Sequence, residues 1–83
     1  MAYSEIWSQR ALAALSKLDK PIASQVKNKL LAILPNPHPF LEKMVEFKVY
    51  KLRIGDYRAF IDIDEEKKEL HILTVRHRKH AYG

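Results

Sequence analysis

The chain has 83 residues, with 15 Lys and Arg against 10 Asp and Glu, four His and no Cys. This length favours one domain spanning residues 1–83. The missing cysteines exclude disulfides, thiolate metal sites and a cysteine nucleophile. The longest apolar run, residues 30–34, is far shorter than the roughly 20 residues of a membrane-spanning helix, and the first residues lack a secretory signal pattern. We therefore expect a cytoplasmic protein without a membrane segment, whose net charge of +5 attracts polyanions.

The first half of the chain has the pattern of a short strand followed by two helices. Residues 3–7 alternate loosely, and Ser8 then stands where a helix N-cap is expected. Apolar residues follow at spacings of three and four, which predicts a first amphipathic helix. Pro21 suits the first turn of a second helix, and the proline-rich residues 35–39 end it.

In the second half the hydrophobic period changes to two, which is typical of strands. Residues 47–54 and 57–64 flank the turn Gly55-Asp56, and residues 65–68 form a charged turn. Residues 70–75 are apolar at both parities, which favours a last strand with both faces partly covered. The sequence therefore predicts an α+β domain of order (β)ααβββ, with a three- to four-stranded antiparallel sheet packed on a helical hairpin.

Basic residues collect on one face of this predicted sheet and in the tail. Lys51 and Arg53 share a strand face, Arg58 lies just across the turn, and Arg78 and Tyr82 follow the last strand. A cation cluster with an aromatic ring suits a phosphodiester, because the cations hold the phosphate and the ring stacks on a base. The same alternation is also typical of the solvated face of an ordinary antiparallel sheet. The pattern alone leaves both interpretations open.

Two segments resemble the RelE/ParE toxin superfamily, specifically its RelE side. They are YKLRIGDYR at residues 50–58 and VRHRKHAY at residues 75–82, and residues 1–3 and 25–30 are also similar. The resemblance implies a RelE-like α+β fold and the toxin of a type II toxin–antitoxin system. It further implies an endoribonuclease that cleaves mRNA in the ribosomal A site without metal or other cofactor. In that reaction a substrate 2′-hydroxyl attacks the adjacent phosphorus and a 5′-hydroxyl leaves.

The resemblance also implies roles for five residues of this chain. Lys51 would activate the 2′-hydroxyl or hold the phosphate, Arg53 would bind the backbone, and Arg58 would brace the scissile phosphate. Arg78 would stabilise the transition state, and Tyr82 would stack on or orient the nucleotide. Arg53 stands where several relatives have Lys, and an arginine cannot act as a general base because it does not deprotonate. The chain continues for one residue after Tyr82, whereas many relatives continue into a further helix.

Histidines in the tail supply the remaining candidates. His77 is the better placed of His77 and His80 for general acid or base chemistry near neutral pH. The alternative is that His77 only continues the strand face and forms a hydrogen bond with a backbone carbonyl. The spacing of the two histidines permits a metal, but no nearby carboxylate completes a ligand set. Asp62 and Asp64 are interpreted as solvated strand residues, so we predict no metal site. Arg76 occupies a position that is often Gly in relatives.

Three functions remain open at this point. The first is the ribosome-dependent endoribonuclease. Its partners would be mRNA, a cognate antitoxin wrapping the helices and sheet, and the ribosome at the A site of its small subunit. The second is a ParE-like inhibitor that poisons gyrase by protein contact, since a shared fold does not decide function. The third is a catalytically weak relative that only binds RNA or the ribosome through phosphates.

Overall fold

The computed structural model describes residues 2–80, in which two helices pack on one face of a five-stranded sheet. The elements in chain order are β1 (Ser4–Trp7), α1 (Gln9–Ser16), α2 (Lys20–Ile33), β2 (Leu41–Lys43), β3 (Tyr50–Ile54), β4 (Tyr57–Asp64) and β5 (Glu69–His77), with short 3₁₀ turns at His38–Phe40 and Arg78–His80. The predicted α+β class is confirmed. No helix in the described part is long and apolar enough to cross a membrane.

The strand prediction needs correction on two points. The sheet has five strands in the order β1-β5-β4-β3-β2, not three or four, and β1 pairs with β5 in parallel. Strands that pair in parallel need a long connection, and the two helices and strands β2–β4 lie between β1 and β5 in the chain. The strand β2 has only three residues, too few to show an alternation, and β3 begins at Tyr50 rather than at residue 47.

Both helix starts are where the sequence places them. The Ser8 hydroxyl accepts a hydrogen bond from the Ala11 backbone N–H at 3.0 Å, as an N-cap does. The same hydroxyl donates to the Leu73 carbonyl of β5 at 2.9 Å. Pro21 lies in the first turn of α2, where its missing N–H leaves no hydrogen bond unmade. Ser8 therefore both begins α1 and ties it to the sheet.

The hydrophobic core lies between the helices and one face of the sheet. Val26, Leu30 and Ile33 of α2 are at most 1% exposed, and their spacing of four and three places them on one side of the helix. They meet buried residues of three strands, namely Leu52, Ile54, Ala59, Ile61, Leu70, Ile72 and Val75. Burial of these apolar side chains is the main force that holds the layers together. The opposite face of the sheet carries the alternate residues of the same strands.

A β-bulge interrupts the pairing of β4 with β5. Ile61 pairs with Ile72, whereas Phe60 pairs with Thr74, so Leu73 is an extra residue on β5. A bulge shifts the alternation of the side chains beyond it by one position. This shift places core residues at both parities of β5. No residue of β5 is fully exposed, in agreement with the prediction of a strand with both faces partly covered. Core residues precede and follow the bulge: Leu70, Ile72 and Val75.

A polar network joins the N-terminal segment, the proline-rich connection and the β4–β5 turn. The Tyr3 hydroxyl donates to Glu65 Oε2 at 2.8 Å, and His38 Nε2 lies 2.6 Å from Glu65 Oε1. Lys68 Nζ lies 3.4 Å from Glu65 Oε2. The hydrogen bond from Tyr3 is the largest cause that lowers the pKa of Glu65, and those from His38 and Lys68 add to it.

Acid should therefore weaken the fold in part through Glu65. Its folded pKa lies below the ordinary 4.5, so the stabilisation is complete above that value and is lost as the pH falls through the folded pKa. In urea unfolding followed from about pH 6 to pH 3, Glu65→Gln should lose less stability on acidification than the wild type. Glu66→Gln removes a carboxylate from the same turn and is the matched control. Identical pH profiles for the Glu65 and Glu66 variants would contradict this role.

Candidate functional site

Three arginines lie side by side on the face of the sheet that the helices leave uncovered. Arg53 of β3 pairs with Arg58 of β4, and Arg58 pairs with Arg76 of β5. We call Arg53, Arg58 and Arg76 the arginine row. Neighbouring strands are about 4.8 Å apart, and like charges directly opposite each other destabilise a sheet. The row therefore costs stability in the free protein, and a bound anion would relieve that cost.

Arg58, the middle member, is held in a fixed position. It is 8% exposed and is the one charged residue in the buried class among residues 2–80. Its Nη1 donates to the Gly55 carbonyl at 3.0 Å and to the Tyr57 carbonyl at 2.8 Å. No carboxylate of the described residues forms an ion pair with it. Neutral carbonyls orient a guanidinium without cancelling its charge, so Arg58 holds an unneutralised positive charge in a fixed position.

The β3–β4 turn positions two of the predicted site residues. Gly55 has a φ of +57°, a left-handed conformation that favours glycine, and a Cβ there would lie 3.3 Å from Gln25 Nε2 of α2. Its carbonyl accepts from Arg58. The next carbonyl, that of Asp56, accepts from the Arg78 N–H at 2.7 Å, and the Asp56 carboxylate lies 4.0 Å from Arg78 Nε. One turn thus fixes Arg58 and holds Arg78 at the end of the sheet.

Lys51 lies on the same face, one alternation along β3 from Arg53. Its side chain is 11% exposed, and its Nζ lies 3.7 Å from Glu42 Oε2 on the neighbouring strand β2. Glu42 is directly opposite Lys51 in the register, and its side chain is 75% exposed. The carboxylate therefore holds the ammonium group against the sheet. Within residues 2–80, no group of three or more His, Asp or Glu is arranged to hold a metal ion.

An open cavity of about 880 Å³ covers this face beside the arginine row. Its floor is formed by β3, β4 and β5, and one wall is the connection between β2 and β3. The charged side chains that line it are four cations and two carboxylates: Arg10, Lys43, Lys51, Arg76, Glu42 and Glu46. The cavity therefore carries a net positive charge, which favours an anionic ligand.

The structure brings together most, but not all, of the predicted site residues. Lys51, Arg53 and Arg58 share the open face, and Arg78 is held at the adjoining turn. His77 lies on the helix side of the sheet, where its ring meets Tyr57 with centroids 5.2 Å apart. Its Nδ1 accepts from the Lys79 N–H at 3.2 Å. His77 is thus separated from the arginine row by the sheet itself.

Tyr82 lies outside the described residues, so its assigned role stays a prediction.

Arg76 is the site residue that sequence reasoning did not select, and the bulge explains why. With unbroken alternation from the buried Leu70 and Ile72, Arg76 would face the core and His77 would face solvent. The extra residue Leu73 exchanges the two faces, so Arg76 joins the row and His77 turns toward the helices. The signal in the sequence was the run of apolar residues at both parities in β5.

Removing one charge from the row should stabilise the free protein. Arg53 is exposed and directly opposes Arg58, so Arg53→Thr should raise the free energy of unfolding by about 0.2–1 kcal/mol. Threonine also suits a strand. Urea unfolding measures the change, and Arg53→Lys, which keeps the charge, should show no such gain. A threonine variant that is no more stable than the lysine variant would show that the row carries no repulsion.

Comparison with known proteins places the chain in a family. Residues 6–82 match the model described as the ParE toxin of type II toxin–antitoxin systems, parDE. The mRNA interferase toxin RelE of Escherichia coli K12 is 31% identical to this chain over an alignment of 88 positions. The alignment covers 100% of this chain and 93% of that protein.

Solved structures agree with this placement. A chain of the RelBE2 toxin–antitoxin complex from Mycobacterium tuberculosis is 25% identical with a TM-score of 0.87, covering 94% of this chain and 100% of that one. A variant of E. coli RelE in the free state is 29% identical with a TM-score of 0.79, covering 99% and 90%. The chain therefore belongs to the RelE/ParE superfamily of toxins from type II toxin–antitoxin systems.

Proposed function

We propose that this protein is a toxin of the RelE type, an endoribonuclease that acts in the cytoplasm and cleaves mRNA in the ribosomal A site. The observation that carries the proposal is the arginine row. Three aligned cations on an uncovered face destabilise the free protein, but they favour binding of a polyanion. The E. coli relative is named an mRNA interferase, which supports the same activity.

The proposed reaction is an internal transesterification of RNA. The 2′-hydroxyl of one nucleotide loses its proton and its oxygen forms a bond to the adjacent phosphorus. The bond from phosphorus to the 5′-oxygen of the next nucleotide breaks, and that oxygen takes up a proton. The products are a 2′,3′-cyclic phosphate and a 5′-hydroxyl end. Negative charge builds up on the phosphoryl oxygens as the new bond forms, so fixed cations in front of them lower the barrier.

The geometry suggests a division of labour among the cations. Arg58 is fixed by two carbonyls and suits the phosphoryl oxygens at which charge develops. Arg53 and Arg76 on either side suit the neighbouring backbone. Lys51, held by Glu42, either assists the 2′-hydroxyl or holds the phosphate, and Arg78 stabilises the transition state from the turn. The proposal needs no metal or other cofactor, and Tyr82 keeps its proposed stacking role.

We also propose that a cognate antitoxin covers the helices and the sheet. Leucines on the outer sides of both helices are exposed, Leu12 of α1 by 50% and Leu31 of α2 by 56%. Exposed apolar residues of this kind suit the apolar side of an amphipathic partner segment. Several structures with the same fold are described as complexes of a RelE toxin with its RelB antitoxin.

Mapping of transcript 5′ ends in cells that express the protein tests the proposed cleavage. The wild type should arrest growth and produce new 5′-hydroxyl ends at fixed positions within codons of translated messages. Arg78→Ala should lower cleavage by about 10²- to 10³-fold, as removal of one transition-state contact does. Lys79→Ala removes the adjacent cation and should cleave like the wild type.

Two results would contradict the proposed function. Growth arrest with loss of DNA supercoiling and no new transcript ends would show a gyrase inhibitor, the activity considered for ParE-like members. Ribosome binding without any cleavage of transcripts would show a protein that binds RNA or the ribosome but has lost the catalytic activity.

Circular dichroism of Arg78→Ala should match the wild type, because the Arg78 side chain is 61% exposed.

A further inference from the structure

The cavity beside the arginine row has an apolar part that the proposed chemistry does not use. Phe60 lies two residues along β4 from Arg58 and on the same face, which places it about 7 Å along the strand. It is flanked in the register by Lys51 on β3 and Thr74 on β5. The apolar side chains that line the cavity are Met44, Val45, Phe47, Val49, Phe60 and Leu73.

Part of this apolar lining is fully open to solvent. The connection between β2 and β3 is closed by a hydrogen bond from the Met44 N–H to the Val49 carbonyl at 3.0 Å. At its tip Val45 is 101% exposed and Phe47 is 58% exposed. Val45 buries no surface in the free protein and most of Phe47 is exposed, so folding gives little reason for apolar side chains beside a row of cations.

The chemistry of the lining narrows the class of ligand. Four cations against two carboxylates favour an anion, and the aromatic floor favours a flat apolar group attached to it. A nucleotide of single-stranded RNA has both parts, and base stacking on an aromatic ring is a common way to bind one. An acidic peptide has the charge but does not require a flat ring surface next to the phosphate-binding row.

We propose that this pocket binds the base of the nucleotide whose phosphate faces the arginine row, with Phe60 as the stacking ring. The proposal rests on the proposed function, because it takes RNA as the ligand of this face. Phe47 forms the rim of the pocket, and the Thr74 hydroxyl beside Phe60 suits an edge of the base. Every base has a flat face, so Phe60 contributes affinity for a base of any identity.

Binding of two RNA oligomers to the purified protein tests the pocket. One probe is a fluorescent 2′-O-methyl trinucleotide, which lacks the attacking hydroxyl, and the other has the same backbone with an abasic central residue. The wild type should bind the intact probe more tightly. Phe60→Leu should weaken binding of the intact probe by about 5- to 150-fold and leave the abasic probe unchanged. Phe60→Trp should keep tight binding, and Phe40→Leu, an exposed phenylalanine outside the pocket, is the matched control.

The outcomes separate this pocket from the proposed cleavage. Equal binding of the two probes by the wild type overturns the pocket, as does an equal loss on both probes in Phe60→Leu. If transcripts are still cut in cells, the proposed function survives that failure. If binding depends on the base and on the ring at position 60 but the protein cuts no transcript, the pocket is supported and the proposed endoribonuclease activity is contradicted. Displacement of both probes alike by an acidic peptide, without dependence on Phe60, assigns the surface to a protein partner and contradicts the proposal.

Discussion

The candidate functional face of this protein depends on one unfavourable arrangement, the alignment of three arginines across three neighbouring strands. Among residues 2–80 no carboxylate forms an ion pair with the middle residue, whose guanidinium donates to two backbone carbonyls. The sheet tolerates this because its other face is buried against the helices, with several core residues at 0–1% exposure. The buried side of the sheet stabilises the fold, and the opposite side carries the positive charge that an anion-binding site needs.

The two sides are connected through the β3–β4 turn. α2 approaches this turn at Gly55, where an added Cβ would lie in tight contact, 3.3 Å, with Gln25 Nε2. The carbonyls of the turn then accept from Arg58 and from the backbone of Arg78. A helix that packs against the core therefore limits the conformation of the turn, and the turn positions Arg58 and Arg78. Rigid positioning of this kind is what electrostatic stabilisation of a transition state requires.

Local features of this fold could be read from the sequence, whereas long-range pairings could not. The Ser8 cap and the Pro21 start are set by neighbouring residues, and both are as predicted. The strand β2 has three residues, and the parallel partner of β1 is more than sixty positions away, so neither leaves a periodic signal. The resemblance of residues 50–58 and 75–82 to a known superfamily supplied the family, which the comparisons confirm.

The candidate site also contains residues that regular alternation places correctly and residues that it misplaces. Lys51, Arg53 and Arg58 lie on regular stretches of β3 and β4, so alternation alone places them on one face. Beyond Leu73 the alternation shifts, and the faces of Arg76 and His77 are exchanged. A bulge depends on the pairing of two strands, which is not visible in a single run of residues. The contact of the extra residue with α1 is equally long-range, since the Ser8 hydroxyl donates to the Leu73 carbonyl.

The central claim, that the arginine row binds the phosphates of RNA, is tested most directly by the salt dependence of RNA binding. For a single strand, each phosphate contact contributes about −0.7 to the slope of log affinity against log salt concentration. Arg76→Gln should make this slope shallower by about 0.7, whereas Lys67→Gln, in the β4–β5 turn, should leave it unchanged. Slopes that are equal in the wild type and in both variants would show that the row does not contact the RNA backbone.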